Sequence, residues 1–151
     1  MRTPNIVADL RAAAEQFPER PALVYGRRTM TFAEFRAASS ALASGLAGLK
    51  MRDKMVCILG PTSPELALSY YVAFQSGSIA VPLNYSFRHL ELETTLASIC
   101  PETIACRFCG PAVTRIAAHQ RCHTASFCVR FERADAARLR AARTTVHCGA
   151  G

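Results

Sequence analysis

The chain carries 151 residues, half of them apolar, and a formal net charge of +7. One domain of that length can bury a core, and the chain reads as globular. Its start, MRTPNIVADLRAAAEQFPER, has neither the continuous apolar run nor the small-residue cleavage site of a signal peptide. Secretion is not expected on that reading, and the cytoplasm is the expected location, with its seven cysteines reduced and outside any disulfide framework.

The charge is unevenly placed. Residues 1–99 hold ten Lys or Arg against eight Asp or Glu, whereas residues 100–151 hold eight Arg, no Lys and three acids. Cysteine follows the same division, with only Cys57 before residue 100. The basic excess, a signal of nucleic-acid or membrane partners, therefore belongs to the tail and not to the ordered part. The charge-free stretch Leu66–Phe87 is broken by Gln75, Ser76, Gly77, Ser78, Pro82 and Asn84. Its moderate hydropathy predicts a helix followed by a buried strand, not a membrane span.

Along the chain, Ile6, Leu10, Ala13 and Phe17 recur at helical spacing before Pro18, which predicts an amphipathic helix over residues 5–16. Ala22–Tyr25 reads as a short strand that turns at Gly26-Arg27-Arg28 into a second one ending near Thr31. Thr31 and Glu34 have the spacing of a capping box, so a helix begins there and runs to about residue 49 with Phe35, Leu42, Leu46 and Leu49 on one face. The small residues Ala38, Ser39, Ala41 and Ala43 on that helix suit close packing against a sheet. Met55–Leu59 is apolar without alternation, as expected of a strand buried on both faces. Ser63-Pro64-Glu65 then supplies an N-cap hydroxyl, a first-position proline and an acid near the positive helix end. Leu66, Tyr70 and Phe74 mark the buried stripe of that helix, which ends at Gly77. Ile79–Leu83 is the next strand, Glu91–Ile99 the next helix, and Thr103–Cys106 opens a third parallel strand. This alternation builds an α/β layer on a parallel sheet.

Four ordered segments in the first hundred residues carry a resemblance. They are Phe17-Pro-Glu-Arg-Pro-Ala-Leu23, Arg28-Thr-Met-Thr-Phe-Ala-Glu34, Asp53-Lys-Met-Val-Cys-Ile-Leu59 with Ser63-Pro-Glu65, and Gly77-Ser-Ile-Ala-Val-Pro-Leu-Asn84 with Glu91-Leu92. In this order they resemble the amino-terminal part of the adenylate-forming (AMP-binding) enzymes, of the acyl-CoA synthetase or fatty-acid-CoA ligase type. Two positions depart from that pattern: Arg52 stands where the family usually has a glycine, and Arg88-His89 replace a helix-starting Thr-Pro.

The resemblance implies a ligase that joins a carboxylic or fatty acid to CoA through an acyl-adenylate, with ATP, magnesium and CoA. Such chemistry needs a Gly/Ser/Thr-rich loop ending in Lys-Gly, because negative charge concentrates on the phosphates. The family also uses an aromatic-Gly-x-Thr-Glu segment, an Asp on the ribose and a lysine from a mobile carboxy-terminal domain. None of these patterns occurs in the sequence, so no catalytic, cofactor-binding or metal residue is carried over. Gly60-Pro-Thr-Ser63 comes nearest to a phosphate loop, yet it has one glycine and no following lysine, and reads as a strand-to-helix turn. The three-glycine dinucleotide fingerprint is also absent.

Beyond Cys106 the resemblance by motif stops. Residues 107–151 hold ten Ala, eight Arg, four Cys and three His, a composition suited to a GC-rich frame read out of register and to a poorly ordered tail. The expected organisation is an α/β fragment over residues 1–106, inactive by itself, followed by a tail over residues 107–151. The exposed edge of such a cut sheet invites self-association. A second reading gives the tail a metal- or nucleic-acid-binding role, with Cys106, Cys109, His119 and His123 in the order of a zinc finger. Nine residues between Cys109 and His119 are too few for the usual finger, and Pro111 falls among them.

Overall fold

The computed structural model describes residues 5–46, 50–99, 101, 103–106, 126–128 and 145–147. Helix α1 (Ile6–Gln16) starts at Asn5, whose side chain accepts the backbone N–H groups of Val7 and Ala8. Leu10 and Ala14 are its buried residues, while Ile6 is 49% exposed. The apolar stripe is thus rotated from the expected one. Ala14 replaces Ala13 because the partner elements approach from the side of Leu10 and Ala14, which lie one turn apart.

Strands β1 (Pro21–Tyr25) and β2 (Arg28–Thr31) form an antiparallel hairpin with Tyr25 opposite Arg28. Gly26 sits at φ +60°, as the primed two-residue turns that match strand twist require. The predicted capping box is present at the start of α2 (Phe32–Leu46): Glu34 Oε2 accepts the Thr31 N–H at 2.9 Å, and Thr31 Oγ1 accepts the Glu34 N–H at 3.3 Å. The small residues of α2 meet both the β1–β2 hairpin and another helix. Ala38 shares a core with Leu10, Met30, Phe35 and Leu68, and Leu42 and Ala43 pack on Val72, so small side chains let α2 lie close against α3 (Pro64–Gln75). Phe35 and Tyr71 meet edge to face across this contact at 4.9 Å.

A three-stranded parallel sheet of order β4-β3-β5 forms the second layer, from β3 (Met55–Leu59), β4 (Ile79–Leu83) and β5 (Thr103–Cys106). The expected third parallel strand is present, with Cys57 opposite Ile104. Side chains alternate along β3: Val56 and Ile58 enter a cluster with Ala73 of α3, whereas Cys57 enters one with Leu92 and Leu96 of α4 (His89–Ile99). The central strand is therefore buried on both faces, with α3 on one side of the sheet and α4 on the other.

Both departures from the family pattern find local solutions. The left-handed backbone in the turn before β3 falls on Lys50 (φ 51°) and Asp53 (φ 62°), not on Arg52, so the missing glycine costs nothing at that position. At α4 the helix starts two residues earlier than expected, because the Arg88 N–H is taken by the Glu91 carboxylate at 2.8 Å. Helix α3 closes in a Schellman motif, with Gly77 at φ +72° and the Ser78 N–H on the Ala73 carbonyl at 2.9 Å.

From the tail, β6 (Ser126–Cys128) and β7 (Thr145–His147) pair antiparallel, with Phe127 opposite Val146. The expectation of a poorly ordered segment concerns residues that otherwise lie outside the described set. Among the described residues no helix is long and apolar enough to cross a membrane.

Candidate functional site

Strand order and helix placement define one candidate position. The chain leaves the carboxyl end of β3 toward one face, through α3, and leaves the carboxyl end of the adjacent β4 toward the other, through α4. Open α/β sheets bind ligands at such a switch point. The residues there are the β3–α3 turn, 60–63, and the β4–α4 turn, 84–88.

Helix starts attract anions when their first N–H groups are free. At α3 three of the four donor positions of the first turn are engaged or missing. Pro64 has no N–H, Ser63 Oγ accepts the Leu66 N–H at 3.2 Å, and the Ser63 carbonyl accepts the Ala67 N–H at 3.2 Å. The remaining donor is the N–H of Glu65, which favours the ionised form of its own carboxylate. Glu65 is 8% exposed, and its Oε1 accepts a hydrogen bond from Arg28 Nη1 at 2.8 Å. Burial pushes the Glu65 carboxyl up. The Arg28 hydrogen bond, the backbone N–H, the Ser63 hydroxyl and the Arg28 charge together outweigh that effect and hold it below the ordinary carboxylate value. Its second oxygen, Oε2, is buried with no hydrogen-bond partner among the described residues.

Gly60 does not behave as a phosphate-loop glycine. Its φ is not in the left-handed region, and a Cβ added there would touch only Leu66 Cδ1 at 3.6 Å, an ordinary contact. The β4–α4 turn is tied up locally in the same way: Asn84 Oδ1 accepts the Ser86 N–H at 2.9 Å, and the Asn84 carbonyl accepts the Phe87 N–H at 3.2 Å. Gly60–Ser63 thus forms the expected strand-to-helix turn between β3 and α3. Sequence reasoning placed Glu65 at the helix start but missed Arg28, since nothing local signals a partner 37 residues away.

Among the described residues no group of three or more His, Cys, Asp or Glu is placed to hold a metal ion. Of the zinc-finger-like set, Cys106 ends β5, while Cys109, His119 and His123 lie outside the described residues.

A feruloyl-CoA synthase of an Amycolatopsis species is 34% identical over 86 residues, 56% of this chain and 17% of that protein. A 4-coumarate-CoA ligase of Narcissus pseudonarcissus is 31% identical over 97 residues, 62% of this chain and 18% of that protein. The chain therefore spans less than a fifth of these relatives' length. A solved Rhodopseudomonas palustris protein described as a putative long-chain-fatty-acid CoA ligase shares the fold, with a TM-score of 0.73 at 21% identity over 83% of this chain and 33% of that one. Residues 10–147 match the family model for AMP-binding enzymes, and the chain belongs to that family of adenylate-forming ligases.

Proposed function

We propose that this chain is the amino-terminal part of a cytoplasmic acyl-CoA synthetase, whose whole protein joins a carboxylic or fatty acid to CoA through an acyl-adenylate, using ATP and magnesium. The observation that carries the reading is the family match over residues 10–147, joined to relatives named as CoA ligases. The 151 residues by themselves do not catalyse the reaction. The self-satisfied turns at the switch point support this, as does the lack of any Gly/Ser/Thr-rich loop ending in Lys-Gly. Carboxylate-dependent exchange of pyrophosphate into ATP tests it. No exchange above background is expected of the purified chain with aromatic or fatty acids, and exchange that depends on the added acid would sink the reading.

The change in composition at residue 106 further supports a family portion over residues 1–106 followed by a frame-shifted tail. The family match running on to residue 147 weighs against it. Translating the downstream DNA in the other frames is the test. A phosphate loop ending in Lys-Gly is expected in another frame, and its presence in the same frame would rule out a shift.

A further inference from the structure

We propose that Glu65 is a built-in anion: its carboxylate occupies the start of α3 beside Arg28 and closes the β3–α3 turn to phosphate, so that deleting it uncovers an oxyanion site at the switch point. This goes beyond the ligase reading and stands or falls separately from it.

Two independent observations carry the proposal. The first is that in α3, a helix of 12 residues, Pro64 has no N–H and Ser63 holds those of Leu66 and Ala67, so the first-turn donor left for a ligand is the N–H of residue 65, which lies beside its own carboxylate. The second is the condition of that carboxylate. It is nine-tenths buried, bonded to Arg28 through one oxygen only, and its Oε2 has no hydrogen-bond partner among the described residues. A side chain in that state is poorly satisfied as a hydrogen-bonding group, but well placed to balance the guanidinium and the positive helix end. Without it, the N–H of residue 65, the Ser63 hydroxyl and the fork of Arg28 would converge on one vacated volume. Those are the donors that recognise a tetrahedral oxyanion. Arg28 is 58% exposed, so the volume is open to solvent from its side.

Inorganic phosphate titrated into the isotope-labelled full chain, with amide resonances as the readout, tests the proposal. In the unaltered chain the amides of Glu65 and Leu66 are expected to stay unmoved through millimolar phosphate. In Glu65→Ala the same two amides should shift saturably, with binding at least about tenfold tighter than in the parent. Adding Arg28→Met to that variant should abolish the shift. Saturable phosphate binding at these amides in the unaltered chain would overturn the proposal, as would a natively folded Glu65→Ala chain that binds none. Glu65→Ser, which keeps a small polar side chain suited to a helix start, replaces Glu65→Ala under the same expectations if the latter loses its native spectrum.

Discussion

Gln75 Nε2 donates to the Ser39 hydroxyl at 2.9 Å, joining the middle of α2 to the end of α3. Ser39 is fully buried and donates its own O–H to the Arg36 carbonyl at 3.1 Å, so this buried hydroxyl is satisfied both as acceptor and as donor. Ser39→Ala leaves the Gln75 amide without its partner and should cost about 1 kcal/mol. Ser39→Leu should cost more, about 2 kcal/mol, because the close approach of the helices has no room for it. Urea midpoints of the three chains are expected to fall in that order; a Leu variant as stable as the parent would contradict the packing.

The Arg28–Glu65 pair ties the β1–β2 hairpin to α3. Since the folded carboxyl lies below its unfolded value, the pair stabilises the fold above the unfolded value, and the contribution is lost as pH falls through the folded one. Arg28→Met leaves a buried carboxylate unpaired and should cost about 2 kcal/mol at neutral pH. Below the ordinary carboxylate range the variant and parent should converge. Stability curves measured against pH decide this, and a constant gap at all pH values would speak against it.

Cys57 points from the central strand into the cluster of Leu92, Leu96 and Ile104, and burial pushes its thiol up to about 11. At pH 8 only about one molecule in a thousand would carry the thiolate, and that one is sealed from reagent. Iodoacetamide should therefore leave the Cys57 peptide unlabelled in the folded chain and label it in urea. Mass spectrometry reads this site apart from the other cysteines, and labelling at equal rates in both conditions would refute the buried placement.

Among the described residues strand β4 is an edge of the parallel sheet, and its Ile79 N–H bonds inward to the Lys54 carbonyl at 2.8 Å. Alternation then turns positions 80 and 82 outward, so Pro82 removes a donor from the open edge and none from the ladder. Pro82→Val restores that donor and should increase self-association of the chain through β4. Sedimentation velocity over a range of concentrations checks the change; an unaltered distribution would mean that this edge does not govern association.

Much of the fold was legible because its signals are local. The Thr31–Glu34 capping box, the Ser63-Pro64 helix start and the Gly77 stop each depend on residues within one turn, and each appears in the structure as spacing predicts. The unalternating run Met55–Leu59 foretold a strand covered on both sides, because only helices on both faces make such a run favourable. The ordered segments also pointed to the family, since their spacing records the whole series of turns.

Tertiary structure decided what depends on partners distant in the chain. It rotated the buried stripe of α1 onto Ala14, and that of α3 from the expected Leu66, Tyr70 and Phe74 onto Leu68, Val72 and Ala73. It also brought Arg28 to Glu65, whose role at the start of α3 local spacing showed only as an acid near a positive helix end. Periodicity says that a helix has an apolar face, but which element covers that face, and which charge enters a buried position beside it, is settled only when the layers pack.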